Sequence, residues 1–250
     1  MKKKPNEKTK ENQKKTEQSK LEQFSREQKK ERGDITMSVM EIFWIRHGET
    51  PSNKEHRYIG GRTEESLSKE GRSFLEREKE AGRYPKAELL FSSPMKRCLE
   101  TGAILYPDQE SRKIEAFREM DFGAFEGKNY QELNGNTAYQ AWIDSNGTLP
   151  FPEGESREDF IGRCKEGFFE MLDEIESLCS KDVKEKGRMA EKTEMSLKIA
   201  VVVHGGTIMA LLSSFYGGEY FDYQVKNGGG YRCMLRFEKG RPVFYNVEEL

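Results

Sequence analysis

Long apolar runs are missing from this chain: nothing in its 250 residues approaches the roughly 18–20 consecutive apolar positions that a membrane-spanning helix requires. That absence argues against a membrane as partner. Cysteine is sparse too, with Cys98, Cys164, Cys179 and Cys233 widely spaced and no Cys-x-x-Cys pair, which excludes the usual zinc and redox motifs. All four fall in apolar-periodic segments, so buried reduced thiols and a cytoplasmic location are expected. There are only three histidines, His47, His56 and His204, and no two stand three or four apart, which leaves no helical zinc-ligand pair.

Hydrophobic residues make up 34% of the chain, and the shortfall gathers at one end. Residues 1–34 hold only Leu21 and Phe24 as large apolar side chains beyond Met1, with 12 Lys/Arg against 7 Asp/Glu. Such a segment buries too little surface to offset the entropy of ordering it, so residues 1–38 are expected to be a disordered charged tail. It has no apolar core of a secretory signal, and it carries too many acids for a mitochondrial presequence. Those same acids dilute the field of its lysines, which argues against nucleic acid or anionic lipid as its partner. The formal net charge is −2, so the remainder, a domain at 39–250, is acidic.

In that domain strand-like and helix-like patterns alternate. EIFWIR (41–46), ELLFS (88–92) and LKIAVVVH (197–204) read as strands, with RKIEA (112–116) a fourth. The segment beginning at Ser68 and ending at Gly82 reads as an amphipathic helix, MKRCLETGAILY (95–106) as a helix with Pro94 in its first turn, and 156–179 as a long helix opened by Ser156 and Asp159. Residues 180–197 read as an exposed loop or frayed helix end, and Gly205-Gly206 as the turn into a helix closed by Gly217-Gly218. YRCMLRF and PVFYNV read as a terminal hairpin. Alternation of this kind predicts an α/β fold: an open, mostly parallel sheet with helices on both faces. Residues 117–156 are rich in Gly, Asn and Pro, with aromatic residues spaced through them, and are expected to form a functional lobe or lid.

In open α/β sheets ligands bind beyond the carboxyl ends of the strands. His47 and His204 stand at the ends of two of these strands, each followed by glycine. Arg46 precedes His47, and Arg97 opens the helix after ELLFS, where free backbone N–H groups point the same way. Two guanidinium forks and a helix N-terminus describe an anion site of about phosphate size. The cations favour an uncharged His47 ring with a free lone pair, which is a nucleophile for phosphorus, while Arg46, Arg97 and a protonated His204 balance the oxygens. The departing alkoxide needs a carboxylic acid, for which Glu49, Glu119, Asp121 and Glu126 are all candidates. His56, in the charged run KEHRY, reads as a surface residue.

FWIRHGETPSN (43–53), SSPMKRCLET (92–101), FREMDFGAFEG (117–127) and VVVHGGT (201–207) together resemble the histidine phosphatase superfamily, whose best-known branch is the cofactor-dependent phosphoglycerate mutases. The resemblance runs from about residue 41 to about 235. It implies His47 as the phosphorylated nucleophile, Arg46, Asn53, Arg97 and Gly205 as phosphate ligands, His204 as second histidine and Glu119 as proton donor, with Asp121 the second choice. It also implies a small phosphorylated metabolite as substrate, with no metal and no cofactor. The mutases hold their substrate carboxylate with adjacent arginines, whereas no arginine lies between Arg118 and Arg157 here, so hydrolysis is expected over transfer. The phrase EMDFGAFEGKNYQEL is similar to α-ribazole phosphatases of cobalamin biosynthesis. A phosphoglycerate mutase and a non-catalytic phospho-ligand binding module are the alternatives. Oligomeric state and substrate are not written in these motifs.

Overall fold

The computed structural model describes residues 40–186 and 197–250, with side chains of 182–186 left aside. The charged tail lies outside the described residues. In chain order the elements are β1 (Met40–Arg46), α1 (Pro51–Lys54), α2 (Lys69–Glu80), β2 (Leu89–Ser92), α3 (Lys96–Leu105), β3 (Ser111–Lys113), α4 (Thr137–Asp144), α5 (Arg157–Lys186), β4 (Leu197–Val203), α6 (Gly205–Phe215), β5 (Gly230–Glu238) and β6 (Arg241–Glu249). They build one six-stranded sheet in the order β3-β2-β4-β1-β5-β6. β3, β2, β4 and β1 run parallel; β5 is antiparallel to β1 and pairs with β6 as a hairpin. The sheet is therefore mostly parallel, with helices covering both sides, as the alternating pattern predicts.

The two faces can be read from β1. Its side chains alternate, so Ile42 and Trp44 enter one core while Phe43 and Ile45 enter the other. β4 does the same with Ile199, Val201 and Val203 against Ala200 and Val202. On the Trp44 side lies α5, whose Phe160, Cys164, Phe168, Met171, Leu172 and Ile175 recur at helical spacing along one stripe. The Trp44 ring packs among Phe117, Phe168 and Phe244 at centroid distances of 6.2, 6.0 and 6.0 Å. Burying each such ring contributes about 1.5–3 kcal/mol. On the Phe43 side sit Leu75 of α2 and Cys98 and Leu105 of α3. Strands buried on both faces need continuous apolar sequence, which is why β1 and β4 are the most legible.

Local signals set most boundaries. Ser68 Oγ accepts from Gly71 N at 2.9 Å and opens α2, and Ser156 Oγ accepts from Asp159 N at 3.0 Å just ahead of α5. Lys239 and Gly240, with φ of 52° and 79°, make the two-residue turn of the hairpin. Some expectations are corrected. The fourth strand is Ser111–Lys113, because the chain turns into a 3-10 helix at Glu115–Phe117 that buries Ile114 and Phe117. Pro94 stands before the cap residue Met95 and outside the first turn of α3. The long helix runs on past Cys179 to Lys186, with 187–196 outside the described residues. α6 begins at Gly205, so His204 is its cap. Cys98, Cys164 and Cys233 are buried, but Cys179 is exposed, since it lies where α5 outruns the sheet's cover.

Candidate active site

β1 and β4 are neighbours in register, Arg46 opposite Val203, and the His47 amide donates to Val203 O at 3.0 Å. The next residue on each strand is a histidine, so the two rings come together at 5.3 Å between centroids, inclined by 66°. His47 Nδ1 lies 2.8 Å from Gly48 O. A carbonyl can only accept, so Nδ1 carries the proton and Nε2 of the neutral ring keeps its lone pair. Burial, then Arg97 and Arg46, hold the His47 pKa well below its ordinary value, so the ring stays neutral. His204 Nε2 lies 2.8 Å from Ser93 Oγ, at the end of β2. It too is held well below the ordinary range, by burial and then by Arg97, His47 and Arg46. Burial beside two arginines thus disfavours the protonated form that the sequence reading gives His204.

Arg97 is almost wholly buried, and its Nη1 and Nη2 donate to Thr63 O and Gly60 O at 3.0 and 3.2 Å. Arg46 Nη1 donates to Val225 O at 2.7 Å. The Nε atoms of both arginines are buried and find no acceptor among the described residues. A buried donor without a partner is costly, and a cationic one more so, so these residues suit an anion as partner. Arg46 itself is lowered from its ordinary value, chiefly by burial. Gly205 lies against it: a Cβ there would stand 3.6 Å from Arg46 Nε. Asn53 takes part in a reciprocal cap with Thr50, and its Oδ1 also accepts from Asn227 Nδ2 at 3.0 Å. With its oxygen so engaged, the Asn53 amide nitrogen remains for another acceptor.

Glu119 is the carboxylate that reaches the histidines. Its Oε2 lies 3.8 Å from His204 Nδ1, its Oε1 accepts from Met120 N at 2.9 Å, and its side chain is 11% exposed. Burial raises its pKa, against the opposing pull of the Met120 N–H, Arg97, Arg46 and Arg163. Gly206 lies directly beneath it, where an added Cβ would stand 2.7 Å from Glu119 Oε1. The structure does not bring the second choice to the same place: Asp121 is tied to Arg62 at 2.8 and 2.9 Å and accepts from Gly123 N. Glu126 accepts from Gly60 N and Thr63 Oγ1, bracing the loop whose carbonyls hold Arg97. His56 is exposed, at φ 53°. Among the described residues no three His, Cys, Asp or Glu side chains are grouped as a metal ligand set.

Four supporting residues escaped the sequence reading. Ser93 orients His204; Thr101 accepts from Gly48 N at 3.0 Å and donates to Arg97 O at 2.7 Å, tying α3 to the end of β1. Asn227 donates to His47 O at 3.1 Å. Arg163 of α5 donates to the carbonyls of Ala116 and Arg118, both at 2.8 Å, and pairs with Glu155 at 2.8 Å, which clamps the segment carrying Glu119. Ser93 and Thr101 lie inside the SSPMKRCLET stretch and could have been taken as strand-end and helix-face hydroxyls; Asn227 and Arg163 carry no local signal.

A cavity of ≈ 320 Å³ adjoins the cluster. Arg46, Glu119 and Gly205 reach its lining, whereas His47, His204, Arg97 and Asn53 do not. His47 is 3% exposed and His204 0%. Both rings are covered, and Gly60 of the loop that holds Arg97 packs directly against Met120 O, beside Glu119. Tyr58, Phe122, Trp142 and Phe151 form the cavity's wall, and Tyr220, Phe221 and Arg157 also line it.

An imidazole pair thus stands at parallel strand ends of an open α/β sheet, beside buried arginines and a carboxyl group of raised pKa. The family model for the histidine phosphatase superfamily (branch 1) matches residues 42–248, and the chain belongs to that family. A phosphoglycerate mutase-like protein 4 of Arabidopsis thaliana is 31% identical over 180 residues, covering 68% of this chain and 69% of that protein. Among solved structures, a phosphoserine phosphatase from Entamoeba histolytica, in complex with 3-phosphoglyceric acid, is 25% identical with a TM-score of 0.61, covering 84% of this chain and 96% of that one. The alpha-ribazole phosphatase from Shigella flexneri shares the fold at 20% identity and a TM-score of 0.63, covering 82% and 95%.

Proposed function

We propose that this protein is a metal-independent phosphomonoester hydrolase that works through a phosphohistidine on His47. The observation that carries the reading is the pairing of a neutral imidazole, its Nε2 lone pair left free by the Gly48 carbonyl, with two buried guanidinium nitrogens that lack acceptors. A phosphoryl group supplies what those nitrogens lack. His47 Nε2 forms a bond to phosphorus as the ester P–O bond breaks, and the proton of Glu119 goes to the departing oxygen. Glu119, now a carboxylate, takes a proton from water; the water oxygen displaces His47 and releases inorganic phosphate. His204 becomes cationic only when the phosphoryl oxygens have entered beside it. Because the rings are covered, the substrate enters from the cavity, past Arg46 and Glu119, and the loop of residues 117–156 serves as its lid.

Within this class α-ribazole phosphate is the substrate we place first, supported by the wording of residues 119–133 and by the aromatic cavity wall. The runner-up is phosphoglycerate transfer, favoured by the mutase-like relative and by Arg157 in the cavity lining. A rapid quench with radiolabelled substrate separates the readings: acid-labile label on His47, absent in His47→Ala, is the expected result. Undiminished hydrolysis by His47→Ala removes the mechanism. Isomerisation of 3-phosphoglycerate stimulated by the bisphosphate, faster than hydrolysis of any monoester, replaces the hydrolase with the mutase; phosphate binding with no turnover leaves a binding module.

A further inference from the structure

The proposed chemistry uses Arg46 and Glu119 of the cavity lining. Arg157, the first residue of α5, also lines it, with its guanidinium over the rings of Tyr220 and Phe221 at 5.5 and 5.6 Å. Among the described residues no carboxylate pairs with it. Those rings fix the guanidinium by cation–π contact without neutralising it, so its donors remain available. In the wall, the Trp142 ring is stacked on Tyr139 at 13° and packs against Phe151 at 4.9 Å, and its buried Nε1–H finds no acceptor among the described residues. The cavity lining thus holds a second guanidinium, that of Arg157, besides that of Arg46. Only Glu119 is acidic among its lining residues.

We infer that Arg157 forms a second recognition subsite beside the aromatic wall, which selects phosphomonoesters whose organic part is a flat apolar ring carrying a hydrogen-bond acceptor. The inference rests on the hydrolase reading and deepens it. A ring fills the space between Tyr58, Phe122, Trp142 and Phe151 by contact with aromatic faces, which a short polar acid would leave unfilled. An acceptor on that ring meets the guanidinium of Arg157. A cationic substituent without a carboxylate, placed beside Arg157, is disfavoured by like charge.

The experiment measures binding and turnover separately on the full chain. Phenyl phosphate, 4-carboxyphenyl phosphate, 4-(aminomethyl)phenyl phosphate and 3-phosphoglycerate are titrated by calorimetry under conditions of negligible turnover, and their kcat/KM values are measured independently. The parent protein is expected to bind the carboxyl compound about tenfold more tightly than phenyl phosphate, as one partly exposed charged hydrogen bond allows, with the aminomethyl compound weakest. Arg157→Ala collapses that ranking, Arg157→Lys restores part of it, and circular dichroism checks that both variants fold. A ranking unchanged by Arg157→Ala overturns the subsite, and 3-phosphoglycerate binding more tightly than every aryl compound overturns the ring-shaped body. Failure of the hydrolase reading shows differently, as binding in the expected order without turnover or label on His47.

Discussion

Replacing Glu119 by glutamine removes one proton and leaves the shape. The amide oxygen can still accept from the Met120 N–H now held at 2.9 Å, and the side chain stays over Gly206, so the fold has little to lose. What disappears is the acid. General acid catalysis of a poor leaving group contributes about 10²–10⁴-fold, or about 3–5 kcal/mol of barrier. Hydrolysis of an alkyl phosphate should therefore fall by that factor, whereas p-nitrophenyl phosphate, whose leaving oxygen is stable as an anion, should slow by about tenfold or less. The pH profile adds a second check. The proposed mechanism requires His47 neutral and Glu119 protonated, and with ordinary values of 6.5 and 4.5 those states would scarcely coexist. Burial moves both the right way: the His47 value falls, extending the neutral ring to lower pH, and the Glu119 value rises, extending the acid to higher pH. The parent should show a bell with the His47 limb on the acid side and the Glu119 limb on the alkaline side. Glu119→Gln should lose the alkaline limb alone. Equal slowing on both substrates, or a larger loss from Asp121→Asn than from Glu119→Gln, would refute the assignment.

Inorganic phosphate should raise the melting temperature of the parent, with a stabilisation of about 2.7 kcal/mol at a hundred times its Kd, and Arg97→Ala should abolish the shift in a thermal melt. Stability should decline as pH falls below about 6.5, because the unfolded chain takes up protons that His47 and His204 refuse when folded; His204→Gln should flatten that slope in a denaturant titration followed at several pH values. Ser93→Ala leaves a buried ring nitrogen without its partner and should cost about 1–2 kcal/mol by chemical denaturation. Arg163→Leu frees three carbonyls and Glu155 from their clamp, so it should destabilise by about 2 kcal/mol and lower kcat by loosening Glu119, which Arg163→Lys should only partly repair.

His47, His204, Arg46 and Arg97 were legible in the sequence because each sits at a junction that announces itself, an apolar strand stopping at a histidine or a helix starting after Ser-Pro. Glu119 was not separable from Glu49, Asp121 and Glu126 by local pattern. What distinguishes it is burial and a bond to its own chain neighbour, properties that arise only when Phe117 is pulled into the core and Arg163 arrives from α5. The covering of the rings was illegible for a related reason. It depends on segments distant in the chain coming together, as Gly60 does with Met120 O, where an added Cβ would stand at 2.2 Å. The edge of the sheet was misread at residues 112–116 because Ile114 and Phe117 satisfy a strand's composition while being buried by a turn. Of the two readings for the charged run after Cys179, loop or helix end, the helix end holds as far as Lys186, where the described residues stop.

The adjacency of β1 and β4 turns the sheet into a ruler. The spacing of the imidazoles is inherited from the backbone repeat between two interior strands, a length that substitutions elsewhere do not rescale. Cavity walls can therefore be exchanged for new clientele while the reacting pair keeps its gauge, and amide exchange at the carboxyl ends of those strands should be among the slowest in the molecule.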